Sequence, residues 1–137
     1  MVEKYKITGE PLFYTIKIIP KNQDIYYDDN LPDEEWVTTY CHPDFEVSNK
    51  ARVRDKITHK AHKHYLNDNG YLTTSIKNKT YRIHSLVLRS FYPKDNYEDY
   101  TIDHIDGNRQ NNNLENLRYL SNKENTKAMF LNRNKIQ

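Results

Sequence analysis

Cysteine is almost absent from the 137-residue chain, in which Cys41 stands alone. A single cysteine excludes an intrachain disulfide and a zinc site built from several cysteines, so no structural zinc is expected. Long apolar runs are missing too: no signal-peptide core follows the charged residues Met1 to Lys6, and no run approaches the roughly 20 residues of a membrane span. These absences predict an intracellular protein, in the cytoplasm or nucleus of a host cell, without membrane contact.

Aliphatic residues are also scarce, since hydrophobic residues make up 36% of the chain and the mean hydropathy is -1.05. Twelve tyrosines and four phenylalanines supply much of what can be buried. The chain is therefore expected to fold around a modest core rather than to be disordered. Its length allows one domain of ordinary size or two very small ones.

Charge is distributed unevenly along the chain. The formal net charge is only +2, yet residues 1 to 48 sum to -6 and residues 49 to 137 sum to +8. A basic C-terminal part is the electrostatic footprint of a phosphate-binding surface. The alternative is a solvated surface with no partner.

The most informative stretch runs from residue 100 to residue 128. Tyr100 to Ile102 predicts a short strand that carries Asp103 and His104 at its end, with neighbouring side chains on opposite faces. Residues 106 to 108, Asp-Gly-Asn, predict a turn. The apolar residues of the return limb are Leu114, Leu117 and Tyr119.

A helix is predicted after that limb. Ser121 and Glu124 form a Ser-x-x-Glu capping box, which places Asn125 about one turn inside the helix. A hairpin that leads into a helix brings Asp103, His104 and Asn125 into one shallow cleft.

The segment upstream of this stretch predicts a scaffold. After Asn69-Gly70, strands are expected at 71–76 and 80–83 around a turn at 77–79. A helix over 85–91 follows and stops before Pro93. His84 could cap that helix or touch DNA, and a structural role is favoured.

These residues resemble the HNH (ββα-metal) nuclease motif carried by phage and intron homing endonucleases. His104, Asn116 and Asn125 stand at the three positions that name the motif, and residues 83–93 resemble the helix that precedes it. The resemblance covers roughly half the chain. It implies an α+β fold in which small β-hairpins precede a ββα-metal (His-Me finger) core.

The resemblance also implies the roles of the site residues. His104 would be the general base, because an imidazole accepts a proton near neutral pH. Asp103 and Asn125 would hold one Mg²⁺ or Mn²⁺ ion, a hard cation that takes oxygen ligands. Asn116 would bond across the hairpin loop to orient the His104 backbone. Two alternatives stay open: Asn113 instead of Asn116, and an Asp-His pair that makes only a surface hydrogen bond.

A second resemblance lies upstream. Glu35-Trp36, residues 45–49 and residues 52–54 are similar to a modular DNA-binding motif often found beside HNH nucleases. Ala51 occupies the position of that motif's glycine, where a positive φ would strain an alanine. Without the resemblance, residues 45–47 and 52–54 predict two short strands about a turn at 48–50.

The expected division of the chain is an N-terminal arm of unknown role (1–33), a small DNA-binding module (34–64), the nuclease domain (65–130) and a tail (131–137). Within the arm, residues 12–19 predict a strand and residues 21–33 a polar loop. Several cations are expected to contact DNA phosphates, or else form a solvated face: Arg52, Arg54, Lys56, Lys60, Lys63, Arg109, Arg118, Lys123 and Lys127.

The resulting prediction is a metal-dependent HNH endonuclease of viral, phage or mobile-element origin. It would nick or cleave double-stranded DNA and leave 5′-phosphate and 3′-hydroxyl ends. Since the sequence ends at Gln137, weak specificity is expected, or specificity from residues 35–64, a homodimer or a partner protein. The alternatives are a non-catalytic DNA-binding or virion protein that retains the fold, and a protein that acts on RNA.

Overall fold

The structure, a computed structural model, describes residues 24–123. Three small antiparallel sheets surround one α-helix in this range, which confirms the predicted α+β class. The first sheet has the order β1-β2-β3 and the second β4-β5-β6, while β7 and β8 form the third. In chain order the elements are β1 (Trp36–Thr38), β2 (Phe45–Ser48), β3 (Val53–Asp55), β4 (Tyr65–Leu66), β5 (Leu72–Ile76), β6 (Lys79–Arg82), α1 (Ile83–Phe91), a 3₁₀ turn (Tyr97–Asp99), β7 (Tyr100–His104), a second 3₁₀ turn (Leu114–Asn116) and β8 (Leu117–Ser121).

The turn between β2 and β3 keeps the backbone conformation that the glycine-containing motif would have. Ala51 has a φ of 67°, in the left-handed region. The Ser48 hydroxyl accepts hydrogen bonds from the backbone N–H groups of Lys50 and Arg52 at 3.0 and 3.2 Å. The two strands predicted here are confirmed to within one residue, and the turn holds an alanine in a conformation that glycine adopts more easily.

Residues 24–33 lie against the first sheet without forming a strand of their own, as the predicted polar loop requires. Arg52 forms an ion pair with the buried carboxylate of Glu34, and its guanidinium lies 4.2 Å from the centre of the Tyr27 ring. Arg54 donates to the backbone carbonyl of Tyr27 at 2.7 Å. Arginines of β3 and its turn thus fix the loop to the sheet. The strand predicted at 12–19 lies outside the described residues.

The second hairpin and the helix follow the prediction closely. Lys77 and Asn78 both have positive φ, 51° and 67°, which matches a two-residue hairpin turn between β5 and β6. The helix begins at Ile83, two residues before the predicted start, and ends at Phe91 ahead of Pro93. No side chain caps its N-terminus, so the sequence offered no capping signal for the earlier start.

One hydrophobic cluster joins all three sheets around α1. Ile83, Leu86 and Val87 of the helix are fully buried. Their cluster contains Val47 and Val53 from the first sheet, Ile76 from the second and Leu117 from the third. The boundary between 34–64 and 65–130 stays a prediction, and the two segments share this core. In the described range no helix is long and apolar enough to cross a membrane.

The third sheet presents the Asp-His pair. The strand predicted at 100–102 extends to His104, with Asp103 opposite Arg118 and His104 opposite Leu117. The predicted turn at 106–108 is confirmed, and Gly107 there has a φ of 79°. Asn122 and Lys123 are helical directly after β8. The rest of the predicted helix, with Asn125 and Lys127, lies outside the described residues.

Candidate active site

His104 lies at the inner end of an open cleft of about 520 Å³. The residue is only 8% exposed, and Nε2 lies 2.7 Å from the side-chain oxygen of Asn112. A carbonyl oxygen only accepts hydrogen bonds, so Nε2 carries the proton of the neutral imidazole. The lone pair of Nδ1 is then the one that accepts a proton. Asn112 therefore fixes the tautomer that a general base needs.

Asp103 precedes His104 on β7 and lines the same cleft. Its carboxylate is one-third exposed, and Oδ2 accepts a hydrogen bond from Arg118 Nε at 2.8 Å. Neighbouring strand residues point apart, and the two side chains do have different partners. Both residues line the cleft at the end of β7, where the His104 carbonyl accepts a hydrogen bond from the Gly107 N–H at 2.8 Å.

The donor chemistry at Asp103 fits a hard divalent cation. A carboxylate at an open cleft supplies an oxygen ligand, and Mg²⁺ usually takes one or two carboxylates and fills its other positions with water and phosphate. Within residues 24–123 no three His, Cys, Asp or Glu side chains form a group that could hold a metal. Asn125, the second predicted ligand, lies outside the described residues.

Asn116 ties together the loop that follows His104. Its amide nitrogen donates to Asp106 Oδ1 at 2.9 Å and to the Asn111 carbonyl at 2.8 Å, and its side-chain oxygen accepts from the Asp106 N–H at 3.0 Å. The backbone carbonyl of Asn116 accepts from the Ile105 N–H. Asn116 thus bonds across the loop, but to residues just beyond His104. Its predicted catalytic role stays a prediction.

Asn113, the alternative to Asn116, takes part in this network through its backbone: its N–H donates to Asn111 and its carbonyl accepts from Asn116. Asp106 is the centre of the network. Hydrogen bonds from the Asn111 side chain, the Asn108 N–H and the Asn116 side chain hold the pKa of the Asp106 carboxyl below its usual value. The run of asparagines therefore folds the loop that positions the end of β7.

Comparisons with known proteins agree with this geometry. A family model described as HNH endonuclease matches residues 81–127, which contain Asp103, His104, Asn116 and Asn125. The structure is similar to that of I-HmuI, an HNH homing endonuclease that binds and cleaves DNA, with a TM-score of 0.60 and 29% identity over 72% of this chain and 59% of that chain. Residues 81–127 thus match the HNH endonuclease family, and the fold is similar to that of an HNH homing endonuclease.

Two viral HNH proteins are also similar. Both are named uncharacterized HNH endonucleases of Acanthamoeba polyphaga mimivirus: L245, 35% identical over 94 residues, and L247, 33% identical over 81 residues. These matches cover 66% and 56% of this chain but only 28% and 20% of the relatives. The chain thus spans less than a third of the length of either viral protein.

Sequence patterns did not identify Asn112 as the partner of His104, and they favoured a structural role for His84 rather than a place in this cleft. Asn112 is one of several adjacent asparagines, and spacing gave no means to select it. His84 is 6% exposed, and its ring centre lies 5.1 Å from those of His104 and Tyr71. Burial, then His104 and Arg82, lower the pKa of His84 to about 4, so this imidazole is neutral at pH 7. The signal for it was its place at the start of the segment that resembles the HNH helix.

The predicted DNA-contacting cations occupy different surroundings. Arg109 lines the cleft, and Arg118 holds Asp103. Arg52 and Arg54 pair with Glu34 and Glu46, and Arg54 is nearly buried. The other described cations are Lys56, which donates to Thr38, Lys60, which pairs with Asp24, and the exposed Lys63 and Lys123. Their contact with DNA stays a prediction, and Lys127 lies outside the described residues.

Proposed function

We propose that the chain is a metal-dependent HNH endonuclease that hydrolyses phosphodiester bonds in double-stranded DNA. The observation that carries the proposal is His104: its tautomer is fixed by Asn112, and it lies beside Asp103 in an arginine-lined cleft. The solved relative I-HmuI, an HNH homing endonuclease that binds and cleaves DNA, supports DNA as the substrate. The mimivirus relatives support a viral or mobile-element origin.

The protein's own groups account for the proton transfer. A water molecule beside the phosphorus atom gives its proton to Nδ1 of His104 as its oxygen attacks, and the bond to the 3′ oxygen breaks. Asp103, with Asn125, would hold Mg²⁺ or Mn²⁺, which when bound supplies charge stabilisation at the phosphate and the leaving oxygen. Arg118 holds the Asp103 carboxylate in place for that task. The products carry 5′-phosphate and 3′-hydroxyl ends.

The test is cleavage of supercoiled plasmid with Mg²⁺ or Mn²⁺. The wild type is expected to give nicked product, or linear product if a symmetric dimer presents two clefts to opposite strands. His104→Ala should lower the rate by about 10²- to 10⁴-fold, the usual contribution of a general base. His42→Ala is the matched control, since His42 bonds to the backbone of Asp44 and does not line the cleft.

Three further readings complete the test. DNA ligase should seal the nick without prior kinase treatment, because sealing requires a 5′-phosphate and a 3′-hydroxyl. Asp103→Asn should weaken the response to metal. Equal cleavage rates for wild type and His104→Ala would refute the role of His104 as the base, and no cleavage by the wild type would leave a non-catalytic DNA-binding protein. A preference for RNA in the same assay would refute DNA as the substrate.

A further inference from the structure

The cleft holds more positive charge than its own carboxylates neutralise. Arg82, Arg89 and Arg109 line it. None of the three forms an ion pair with a carboxylate within residues 24–123. Among residues 24–123, Asp103 is the only acidic residue that lines the cleft, and Arg118 already pairs with it. Uncompensated guanidinium groups around an open cleft are the charge pattern of an anion site.

Two of these arginines converge on one tyrosine. The guanidinium carbons of Arg82 and Arg109 lie 4.7 and 4.9 Å from the centre of the Tyr71 ring. Arg82 is the last residue of β6, whereas Arg109 belongs to the loop after β7, so the fold brings together like charges that are distant in sequence. Cation–π attraction at exposed sites is worth only about 0.5–1 kcal/mol, and like charges repel, so an anion that contacts the two guanidinium groups would stabilise the arrangement.

The Arg109 side chain is already held in position without a ligand. Nη1 of Arg109 donates to the backbone carbonyl of Asn69 at 2.6 Å. The Cδ atom of the same side chain lies 3.8 Å from the position of a Cβ at Gly70, whose φ is +86°. A guanidinium fixed in this way loses little freedom when it binds a phosphate with its planar fork.

The third arginine has a different position. The guanidinium of Arg89 lies 4.1 Å from the Tyr40 ring centre and 3.5 Å from that of Tyr97, and it donates to the Tyr40 hydroxyl at 3.1 Å. It therefore links the segment after β1 to the 3₁₀ turn before β7. The Arg82–Tyr71–Arg109 group combines arginines without a carboxylate partner in the described range with proximity to the base, since the ring centres of Tyr71 and His104 are 6.2 Å apart.

We propose that Arg82 and Arg109, stacked on Tyr71, form a second phosphate subsite that binds a backbone phosphate adjoining the scissile one. The subsite rests on the proposed function in one respect, namely that its occupant is a nucleic-acid strand. Its role is to align that strand against His104 and Asp103. Because backbone phosphates carry no sequence information, the subsite contributes affinity and position but not specificity.

The first experiment measures binding rather than cleavage. Fluorescence anisotropy with duplex DNA and no divalent metal gives the affinity as a function of salt. Arg82→Gln and Arg109→Gln are each expected to lower the affinity about tenfold at 0.1 M salt and to reduce the slope of log K against log [salt] by about one, the contribution of one phosphate contact. Lys79→Gln, which removes one charge from an exposed residue outside both the cleft and residues 34–64, should leave both the affinity and the slope unchanged.

The second experiment asks whether the two arginines share one phosphate. The double variant should bind only slightly more weakly than either single variant. A series of duplexes is then used in which one phosphate at a time is replaced by a neutral methylphosphonate. Replacement at one position should weaken the binding of the wild type. Replacement at the same position should not further weaken the binding of Arg82→Gln or Arg109→Gln. Trp36 fluorescence confirms that each variant is folded. Arg82→Lys and Arg109→Lys, which keep the charge but lose the fork, should bind between wild type and the Gln variants.

The results separate this subsite from the catalytic proposal. The subsite would be overturned if either Gln variant bound DNA with the affinity and the salt slope of the wild type. It would also be overturned if the losses of affinity were additive in the double variant and no methylphosphonate position affected both arginines. If the salt result holds but the wild-type protein cleaves no plasmid, the subsite stands and the catalytic proposal falls. If the wild type cleaves plasmid and the Gln variants bind DNA with wild-type affinity, the catalytic proposal stands and the subsite falls.

Discussion

A histidine acts as a general base only while one ring nitrogen is free to accept a proton, and in this protein Asn112 decides which nitrogen that is. The hydrogen bond from His104 Nε2 to the Asn112 oxygen leaves Nδ1 as the acceptor. Asp103, His104 and Asn116 could be selected from the sequence because the HNH pattern marks them. Asn112 could not, because the path of the loop decides which asparagine meets the imidazole.

The Asn112 hydrogen bond predicts a specific loss of activity. Asn112→Ala should lower the plasmid-nicking rate by about 100-fold, because a misdirected base loses its geometry. Asn112→Asp keeps an acceptor oxygen and should retain more activity than Asn112→Ala. Asn113→Ala is the matched control, since Asn113 contributes backbone bonds to the loop. Equal losses in Asn112→Ala and Asn113→Ala would mean that the loop, rather than the hydrogen bond, matters.

Burial of His84 predicts how stability depends on pH. Because its pKa falls from 6.5 to about 4 on folding, the unfolded chain binds more protons between these values, and the free energy of unfolding decreases as the pH falls. The His84 contribution is fully present above pH 6.5 and is lost as the pH approaches 4. The total loss of unfolding free energy from this group is about 3 kcal/mol once the pH lies below both pKa values.

Urea unfolding at several pH values tests this. His84→Gln, which cannot titrate, should show a flatter dependence of the unfolding free energy between pH 6.5 and 4 than the wild type. His59→Gln, at a more exposed histidine paired with Asp28, is the control and should keep the wild-type slope. An unchanged slope in His84→Gln would show that another group carries the acid sensitivity.

At the scale of elements, local patterns placed β2, β3, β5, β6, β7 and α1 to within two residues, whereas β1 and β4 were not predicted. Turn residues and strand alternation located the β2–β3 and β5–β6 hairpins, and Pro93 located the end of α1. The helix start was missed because no capping side chain marks it. Burial of Ile83 against the sheets accompanies the earlier start, and such packing is not visible in a local sequence window.

Ala51 provides an element-scale prediction. An alanine in the left-handed region costs about 1–2 kcal/mol, whereas glycine costs about 0.5–1 kcal/mol of chain entropy. The relief of strain exceeds the entropy cost of glycine, so Ala51→Gly should raise the free energy of unfolding by about 0.5 kcal/mol or more. Ala61→Gly is the matched control at an alanine without a positive φ, and it should lower stability by about 0.5–1 kcal/mol. Thermal unfolding of the two variants should shift in opposite directions; shifts in the same direction would contradict the strain argument.

At the scale of the whole molecule, the sequence suggested two adjoining units, and the structure shows what they share. Val47 and Val53 of the first sheet belong to the same buried cluster as Leu86 and Val87 of α1. A hydrogen bond from the Tyr40 N–H to the Ser90 hydroxyl, at 3.0 Å, joins the same two parts. Short strands give no sequence signal for which helix they cover, so this common core could not be predicted from local patterns.

A shared core predicts that residues 34–64 and the nuclease part unfold together. Trp36, the single tryptophan, lies on β1 and reports on the first sheet, whereas the NMR signals of the His104 ring report on the cleft. Both signals should be lost at the same urea concentration, as in a two-state transition. Val47→Ala, which leaves a gap beside α1, should shift both midpoints equally to lower urea. A Trp36 transition that precedes the loss of the His104 signals would instead show that the first sheet is an independently folding module, and that the nuclease keeps its cleft without it.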